Sequence, residues 1–186
     1  NERPCLIHFR FIDEPPTTHD PRSISERPTV NVVGPVDHRS TQIRGWLFDR
    51  VPALPADYRI HVAGKEMTVS DLASRSTTLA ARLDCTSGWY TDAEWTAVRV
   101  AELLSAEEIA AAASIEVVSR TGYRRRFPAD EAGSLWLATA YQGVPLLPAF
   151  GAPVRLVAPQ RRGFWWVKWV ASVELSDLPG WSQSPF

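Results

Sequence analysis

The sequence predicts an α+β protein with mixed, mostly antiparallel β-structure and few, short helices. Three observations lead to this prediction. Short runs of alternating apolar and polar residues recur along the chain and are separated by turn residues such as Ala63-Gly64 and Thr121-Gly122. Helical periodicity is confined to brief stretches. Fifteen prolines and eight tryptophans indicate a loop-rich protein with a heavily aromatic core.

Length and charge narrow the class of protein. A chain of 186 residues with 45% apolar and 22% charged residues is typical of one globular domain and not of a disordered protein. Its 20 basic and 21 acidic residues give a net charge of −1, so we expect no nucleic-acid partner. No run approaches the roughly 20 apolar residues of a membrane-spanning helix. Because the first residue is Asn1 rather than methionine, we expect further sequence before it in the natural protein.

Proline content divides the chain into two regions. Residues 1–57 are rich in proline and lack sustained periodicity, which predicts an extended arm packed on the domain formed by residues 58–186. The regular part opens with a predicted β-hairpin, in which Tyr58–Val62 alternates, Ala63–Lys65 turns and Glu66–Val69 returns.

Short helices are predicted at three places. Ser70 followed by Asp71 has the pattern of an N-cap for one helical turn. Val98–Leu104 resembles a short amphipathic helix. Ser105–Glu108 has capping-box spacing and predicts a helix that runs through Ala113.

The other predicted elements are strands. They are short apolar or alternating runs bounded by turn residues: Thr77–Leu83, Ile115–Ser119, Tyr123–Phe127, Leu135–Ala140, Pro153–Ala158 and Phe164–Leu175. Under period two, the last strand has an entirely apolar face that includes Trp165, Val167 and Trp169, which predicts that this face is core. Trp166 and Lys168 fall on the opposite face.

Lys168 has two interpretations at that position. A lysine between large aromatic residues is unfavourable in mid-strand unless its ammonium reaches water or an anion. It could extend along a solvated face, or it could meet the negative charge of a ligand in an aromatic-lined pocket. The strand pattern leaves both open.

Common catalytic motifs are missing from the sequence. It has no G-x-G-x-x-G, P-loop, G-x-S-x-G or H-E-x-x-H motif, and its four histidines and two cysteines lack zinc-finger spacing. Cys85 lies just beyond a predicted strand, and we expect it to carry a thiol rather than a bridge to Cys5. It could be a small buried residue, a nucleophile with His61 as the nearest histidine in sequence, or a thiolate metal ligand.

Arg155 also has two interpretations. It follows the Gly151–Val154 turn and could be an ordinary ion-paired arginine. Alternatively, its guanidinium could clamp a phosphate through charge-assisted hydrogen bonds, each worth roughly 1.5–3 kcal/mol.

Four segments, in this order, resemble one known family, the molybdopterin-binding domain of the sulfite oxidase family. The resemblance spans about residues 58–175, and its segments match the family's molybdenum-binding cysteine segment, mid-domain turn, phosphate-binding turn and "vKWv" strand: Leu83–Trp89, Ser119–Tyr123, Gly151–Val157 and Phe164–Val170. The tail Trp181–Phe186 is similar to a bacterial branch in which the domain can be joined to a membrane part.

The resemblance implies a fold, a cofactor and a set of site residues. The fold would be the sulfite-oxidase type, and the cofactor would be a mononuclear molybdenum held by molybdopterin. Cys85 would be the metal ligand and the catalytic residue. The other implied cofactor-binding residues are Thr121, Arg155, Trp166, Val167 and Lys168, with Trp166 and Val167 acting through backbone groups. A soft thiolate suits a high-valent metal, and fixed cations suit a phosphate dianion.

Two departures from the family accompany the resemblance. The family often has histidine immediately before the glycine of the phosphate turn, whereas this chain has Phe150, which removes one polar contact to the cofactor. Asn31, His38 and Arg39 are candidates for further pterin contacts from the arm, without a secure alignment.

The resulting hypothesis is an oxidoreductase domain that performs two-electron oxygen-atom transfer on a small oxo-donor or oxo-acceptor substrate. Because the chain has no haem, flavin or iron–sulfur motif, the electrons would pass to or from another protein, haem- or quinone-linked. A membrane tether outside the printed chain and a location outside the cytoplasm are compatible with the tail. The alternatives are a cofactor-free binding or structural relative of the same fold, and a cysteine-nucleophile enzyme.

Overall fold

The computed structural model describes residues 50–85 and 90–184. Within these ranges the chain forms ten strands, which are Arg59–Val62 (β1), Lys65–Thr68 (β2), Thr77–Asp84 (β3), Tyr90–Arg99 (β4), Ser114–Ser119 (β5), Arg124–Pro128 (β6), Trp136–Tyr141 (β7), Val144–Pro145 (β8), Arg155–Val157 (β9) and Val170–Ser176 (β10). Two six-residue helices accompany them, Val69–Ser74 (α1) and Ala106–Ala111 (α2). Short 3₁₀ turns cover Val100–Glu102, Ala129–Ser134, Pro148–Phe150 and Gly163–Trp165.

The described strands form two sheets. One has the order β2-β1-β10-β5-β6, and the other has the order β3-β4-β7-β8, with β9 also pairing with β7. The β1–β10 pair is parallel, and the other named pairs are antiparallel. The predicted α+β class with mixed, mostly antiparallel strands is therefore confirmed.

The first hairpin has the predicted form. Val62 pairs with Lys65, which leaves Ala63 and Gly64 as a two-residue turn. Both turn residues have positive φ, 47° and 78°, and this backbone is typical of the tight turns that match the twist of paired strands. The predicted strands near residues 77–83, 115–119, 123–127 and 135–140 are also present, with ends that differ by one or two residues.

The N-cap of α1 was predicted wrongly. The helix is capped by Thr68, whose hydroxyl accepts from the Asp71 amide while the Asp71 carboxylate accepts from the Thr68 amide. Ser70 lies inside the helix because the capping box needs a residue three positions before Asp71. The second capping box is confirmed at Ser105–Glu108, although α2 ends at Ala111 and not at Ala113.

The predicted helix over Val98–Leu104 is also wrong. Strand β4 continues to Arg99, with Val98 opposite Leu137 in β7, and a 3₁₀ turn follows. The register shifts between Thr96 and Ala97, and the consecutive residues Ala97 and Val98 are both buried. A β-bulge interrupts the period-two pattern in this way, so the apolar residues resemble a helical face.

The long strand predicted over Phe164–Leu175 begins later than expected. A 3₁₀ turn covers Gly163–Trp165, and β10 starts at Val170. Trp169 has a positive φ of 51°, which is incompatible with a continuous strand. The predicted division of faces therefore fails, and Trp166, expected opposite the core, is buried.

The aromatic core is confirmed at one cluster around Trp95. Its ring lies 5.7 Å from the Phe150 ring in a stacked arrangement, and it meets Tyr141 and Trp166 edge-on at 4.9 and 5.4 Å. The Trp95 indole donates to the carbonyl of Ala81 in β3. This cluster therefore joins β3, β4 and β7 to the segments that precede β9 and β10.

The C-terminal segment lies against the edge strand β6. The Gln183 side chain accepts from the Arg126 amide at 2.9 Å and donates to the Arg126 carbonyl at 2.6 Å. Arg126 itself forms a buried ion pair with Glu116 at 2.9 Å. Covering an edge in this way protects it from pairing with another chain.

Candidate functional site

Cys85 lies where the sequence predicts, directly after the last residue of β3. Asp84 pairs with Tyr90, the first residue of β4, so Cys85 is at the end of a two-stranded ribbon. Its side chain is partly buried. The segment 86–89, which completes the predicted cysteine segment, lies outside the described residues, as do Cys5, Asn31, His38 and Arg39.

A second segment closes against this strand end. Arg162 forms an isolated parallel bridge with Asp84, and its Nη2 donates to the Cys85 carbonyl at 3.3 Å. At Gly163 an added Cβ would lie 3.1 Å from the Asp84 carbonyl oxygen and 3.2 Å from the Cys85 Cα. Because that approach is too close for most side chains, glycine allows the segment to reach the cysteine.

The turn at Gly151 holds the backbone of Lys168. Gly151 follows the 3₁₀ turn Pro148–Phe150 and has a φ of 107°. An added Cβ at Gly151 would lie 3.1 to 3.2 Å from the Cβ, Cα and Cγ of Lys168. The Trp169 amide donates to the Gly151 carbonyl at 3.4 Å, so the predicted phosphate turn and the predicted lysine segment are direct neighbours.

Arg155 lies beneath this turn and is 3% exposed. Its Nη1 donates to the Phe150 carbonyl at 2.9 Å, and its guanidinium lies 4.3 Å from the centre of the Phe150 ring. The rings of Trp95 and Trp166 are within 6 Å of the same guanidinium. Arg155 is therefore a buried cation among aromatic rings, not a surface arginine.

Lys168 is partly buried, and its Nζ lies 5.4 Å from the centre of the Trp169 ring. Trp169 is held firmly, because its indole donates to the Pro148 carbonyl at 2.8 Å and its side chain is buried. A positive φ at so bulky a residue stores strain, and such strain is found more often at functional sites than elsewhere.

Thr121 is exposed on the turn between β5 and β6. Its hydroxyl lies 3.0 Å from the Ser119 hydroxyl, and its amide donates to the same oxygen. The neighbouring Arg120 amide donates to the Trp169 carbonyl at 2.8 Å. The mid-domain turn is thus attached to the segment that carries Lys168.

Backbone groups of Trp166 and Val167 are engaged within the protein. The Trp166 amide donates to Gly163, the Val167 amide donates to Trp165, and the Val167 carbonyl accepts from the Leu156 amide. Both side chains are buried. These bonds fix the path of the chain between the cysteine end and the lysine end of the site.

Contacts thus connect the predicted residues in a continuous series. Arg162 and Gly163 touch Cys85, and the Trp166 indole donates to the Arg161 carbonyl and lies over Arg155. Arg155 and Lys168 both contact the Phe150–Gly151 turn. His61, by contrast, is exposed on β1 in the other sheet, which argues against its acting as a base for Cys85.

Arg162 is the residue that sequence reasoning missed. A signal was present, because Arg161 and Arg162 form a dibasic pair directly before Gly163, between the phosphate turn and the lysine segment. Only the fold shows that the second arginine, and not the first, reaches Cys85.

The Gly151 turn gives the first testable prediction. We expect Gly151→Ala to lower the free energy of unfolding by about 2–3 kcal/mol, because the new Cβ meets both positive φ strain and the Lys168 side chain. Gly143→Ala is the matched control, since Gly143 also has positive φ but has open space around its added Cβ. It should cost about 1 kcal/mol. Equal losses in urea denaturation would show that crowding against Lys168 has no effect.

Tyr58 gives a prediction about alkaline stability. Burial raises the pKa of Tyr58 above its usual value near 10, with nearby Arg120 opposing the shift, and its hydroxyl donates to the Val170 carbonyl at 2.8 Å. A raised pKa in the folded state means that this contribution to stability is present below about pH 10 and is lost as the pH rises through the folded pKa. We therefore expect Tyr58→Phe to lose less stability than the wild type as the pH rises above about 10. If urea unfolding showed that the free energies of unfolding of the two proteins fall equally with pH, the prediction would be contradicted.

No group of three or more histidine, cysteine, aspartate or glutamate side chains in the described part of the chain could hold a metal ion. No helix in that part is both long enough and apolar enough to cross a membrane.

Comparison with known proteins shows the family. Residues 48–184 match the model of the oxidoreductase molybdopterin binding domain. The match covers most of the chain, and the chain therefore belongs to this family of molybdopterin-dependent oxidoreductases. No curated protein sequence matches the chain.

A solved structure with a similar fold is the sulfane dehydrogenase SoxCD from Paracoccus pantotrophus. The superposition has a TM-score of 0.59 at 20% sequence identity and covers 84% of this chain. At that sequence identity the likeness shows the fold alone, and it confirms the expected sulfite-oxidase type of fold. The chain spans only 57% of the length of that SoxCD chain.

The residues present fit a molybdopterin. Cys85 supplies one soft sulfur donor at the end of β3. Arg155 and Lys168 place two cations around one turn, which suits a phosphate group.

Proposed function

We propose that this domain catalyses two-electron oxygen-atom transfer with Cys85 as the only protein ligand of a molybdopterin-held molybdenum. The observation that supports this proposal most directly is the series of contacts from Cys85 through Gly163 and Trp166 to the Gly151 turn. These contacts link the strand end that carries Cys85 to the turn that Arg155 and Lys168 contact, which supports the proposal of a single site. When bound, the cofactor supplies the two-electron redox chemistry and the oxygen transfer.

The chain itself would bind and orient the cofactor. Arg155 would hold the phosphate-binding turn from below through the Phe150 carbonyl, and Lys168 would offer its ammonium to the pterin phosphate or ring. Thr121 would make a polar contact at the rim. The backbone hydrogen bonds of Trp166 and Val167 would hold the chain in place between the cysteine end and the lysine end of the site.

The overall reaction has a defined balance. A reduced substrate and water give the oxygenated substrate, two protons and two electrons. The reverse reaction consumes the oxygenated substrate, two protons and two electrons, and it releases the reduced substrate and water. Since the chain carries no haem, flavin or iron–sulfur motif, we propose a separate haem- or quinone-linked protein as the electron partner. A membrane tether or a location outside the cytoplasm stays part of this proposal.

The division of the chain is likewise a proposal. Residues 58–186 would form the cofactor-binding domain, and residues 1–57 would be an arm packed on it. Leu54, from the described end of that arm, packs against the core, which supports this arrangement.

Elemental and pterin analysis tests the proposed function directly. Full-length chain produced in a host that makes molybdopterin should contain about one molybdenum and one pterin per chain. Protein from a host unable to make the cofactor is the control and should contain neither. If protein from the cofactor-making host contained neither molybdenum nor pterin, the proposal would be contradicted.

A cofactor-free binding relative is the second candidate. The buried Phe150, in place of the family's usual histidine, favours it, because the ring packs on Trp95 and the Phe150 carbonyl already takes one Arg155 hydrogen bond. The same analysis separates the two candidates. A folded protein that stays free of pterin in a cofactor-making host would support this alternative.

A further inference from the structure

Arg162 occupies a position that no part of the proposed site explains. Its Nη2 donates to the Cys85 carbonyl at 3.3 Å, and its Nε lies 3.7 Å from the Asp84 carboxylate. That Nε is buried and has no hydrogen-bond partner within the described residues. The guanidinium therefore spans Asp84, the last residue of β3, and Cys85, which follows it.

Its neighbour Arg161 has a different environment. The Arg161 guanidinium pairs with Glu131 at 2.5 Å and lies 5.1 Å from the centre of the Trp165 ring. The two arginine side chains are nearly equally exposed, 36% for Arg161 and 37% for Arg162. The two arginines lie in the same loop, carry the same charge and are similarly exposed. Only Arg162 is hydrogen-bonded to the Cys85 carbonyl.

We propose that Arg162 is a positioning residue for Cys85, which holds the strand end and places a fixed positive charge beside the thiol. The inference rests on the proposed function, in which Cys85 ligates the metal. The hydrogen bond to the Cys85 carbonyl restrains the backbone from which the sulfur projects. Gly163 reinforces this restraint by packing against the Cys85 Cα.

The charge acts over a short distance. Covalent geometry keeps a cysteine sulfur within about 5 Å of its own carbonyl oxygen, so the guanidinium nitrogen is within roughly 8 Å of the sulfur. This separation is no more than one Debye length at physiological salt. The Asp84 carboxylate lies 3.7 Å from the Arg162 Nε and opposes this charge. Arg162 therefore makes the surroundings of the thiol less repulsive to an anion than they would be without it.

Selective alkylation of the cofactor-free full chain tests the charge. In a Cys5→Ser background Cys85 is the only thiol, and its rates with anionic iodoacetate and neutral iodoacetamide are compared. The rate ratio cancels differences in thiol reactivity that both reagents share. We expect Arg162→Gln to lower the iodoacetate-to-iodoacetamide ratio by about twofold to fivefold. Arg161→Gln should leave the ratio unchanged.

A second measurement separates charge from positioning. Arg162→Lys keeps the positive charge but loses the planar fork, so it should retain the reagent preference of the wild type. Hydrogen exchange of the amides at 81–85 should become about fivefold to tenfold faster in both Arg162→Gln and Arg162→Lys. Arg161→Gln should exchange like the wild type in this segment.

Several outcomes would overturn the proposal. An unchanged ratio in Arg162→Gln, or an equal fall in Arg161→Gln, would remove the local charge effect. Unchanged exchange at 81–85 in both Arg162 variants would remove the positioning role. Because these measurements need no cofactor, they stand even if the chain proves to hold no molybdenum, and the two failures are therefore distinguishable.

Discussion

Replacing Cys85 by serine is expected to lower the affinity of the site for molybdenum by about 100-fold or more. Loss of residues that merely orient metal ligands already costs about 10–100-fold, and here the direct soft donor is replaced by a hard hydroxyl. The visible absorption that arises from thiolate-to-metal charge transfer should disappear at the same time. Pterin should be retained better than the metal, because Arg155 and Lys168 remain in place.

Cys5→Ser is the matched control for this experiment, since it removes the other thiol of the chain. It should keep the metal content and the absorption spectrum of the wild type. Metal content and spectrum unchanged in Cys85→Ser would exclude Cys85 as the ligand. Loss of both in Cys5→Ser alone would assign that role to the arm instead.

Local patterns predicted those parts of the fold whose cause is itself local. The Ala63-Gly64 turn and the Ser105–Glu108 capping box depend on a few adjacent residues, and both are found as expected. Tertiary pairing decided the segments that were predicted wrongly. Val98 is a strand residue because it pairs with Leu137, and the bulge at Thr96–Ala97 hides that pairing in the sequence.

The candidate site shows the same division. Gly151, Cys85, Arg155 and Lys168 could be predicted as candidates from the motifs, because each motif preserves spacing along the chain. The burial of Arg155 and the contact of Arg162 with Cys85 could not, since both arise from segments that are far apart in sequence. The break before β10 was equally hidden, because Phe164–Leu175 alternates well enough to resemble one strand.

Trp95 joins the core to this site more directly than any motif residue. Its ring stacks on Phe150, whose carbonyl accepts from Arg155, and it meets Trp166, which follows the segment that touches Cys85. Packing of the core therefore fixes the position of the Phe150–Gly151 turn, the predicted phosphate-binding turn, relative to Cys85. Stability and cofactor retention should depend together on this one side chain.

Truncation of Trp95 is accordingly expected to destabilise the protein by about 3–5 kcal/mol, because Trp95→Ala leaves a large cavity at a fully buried position. Trp181→Ala is the matched control, since that ring is 83% exposed, and it should change the free energy of unfolding by less than about 0.5 kcal/mol. Both values come from urea denaturation.

If Trp95→Ala fails to fold, Trp95→Phe, which keeps most of the volume but loses the bond to Ala81, should fold with a smaller loss and with reduced pterin content. Similar losses in the Trp95 and Trp181 variants, or full pterin content in a clearly destabilised Trp95→Phe, would contradict the coupling of core and site.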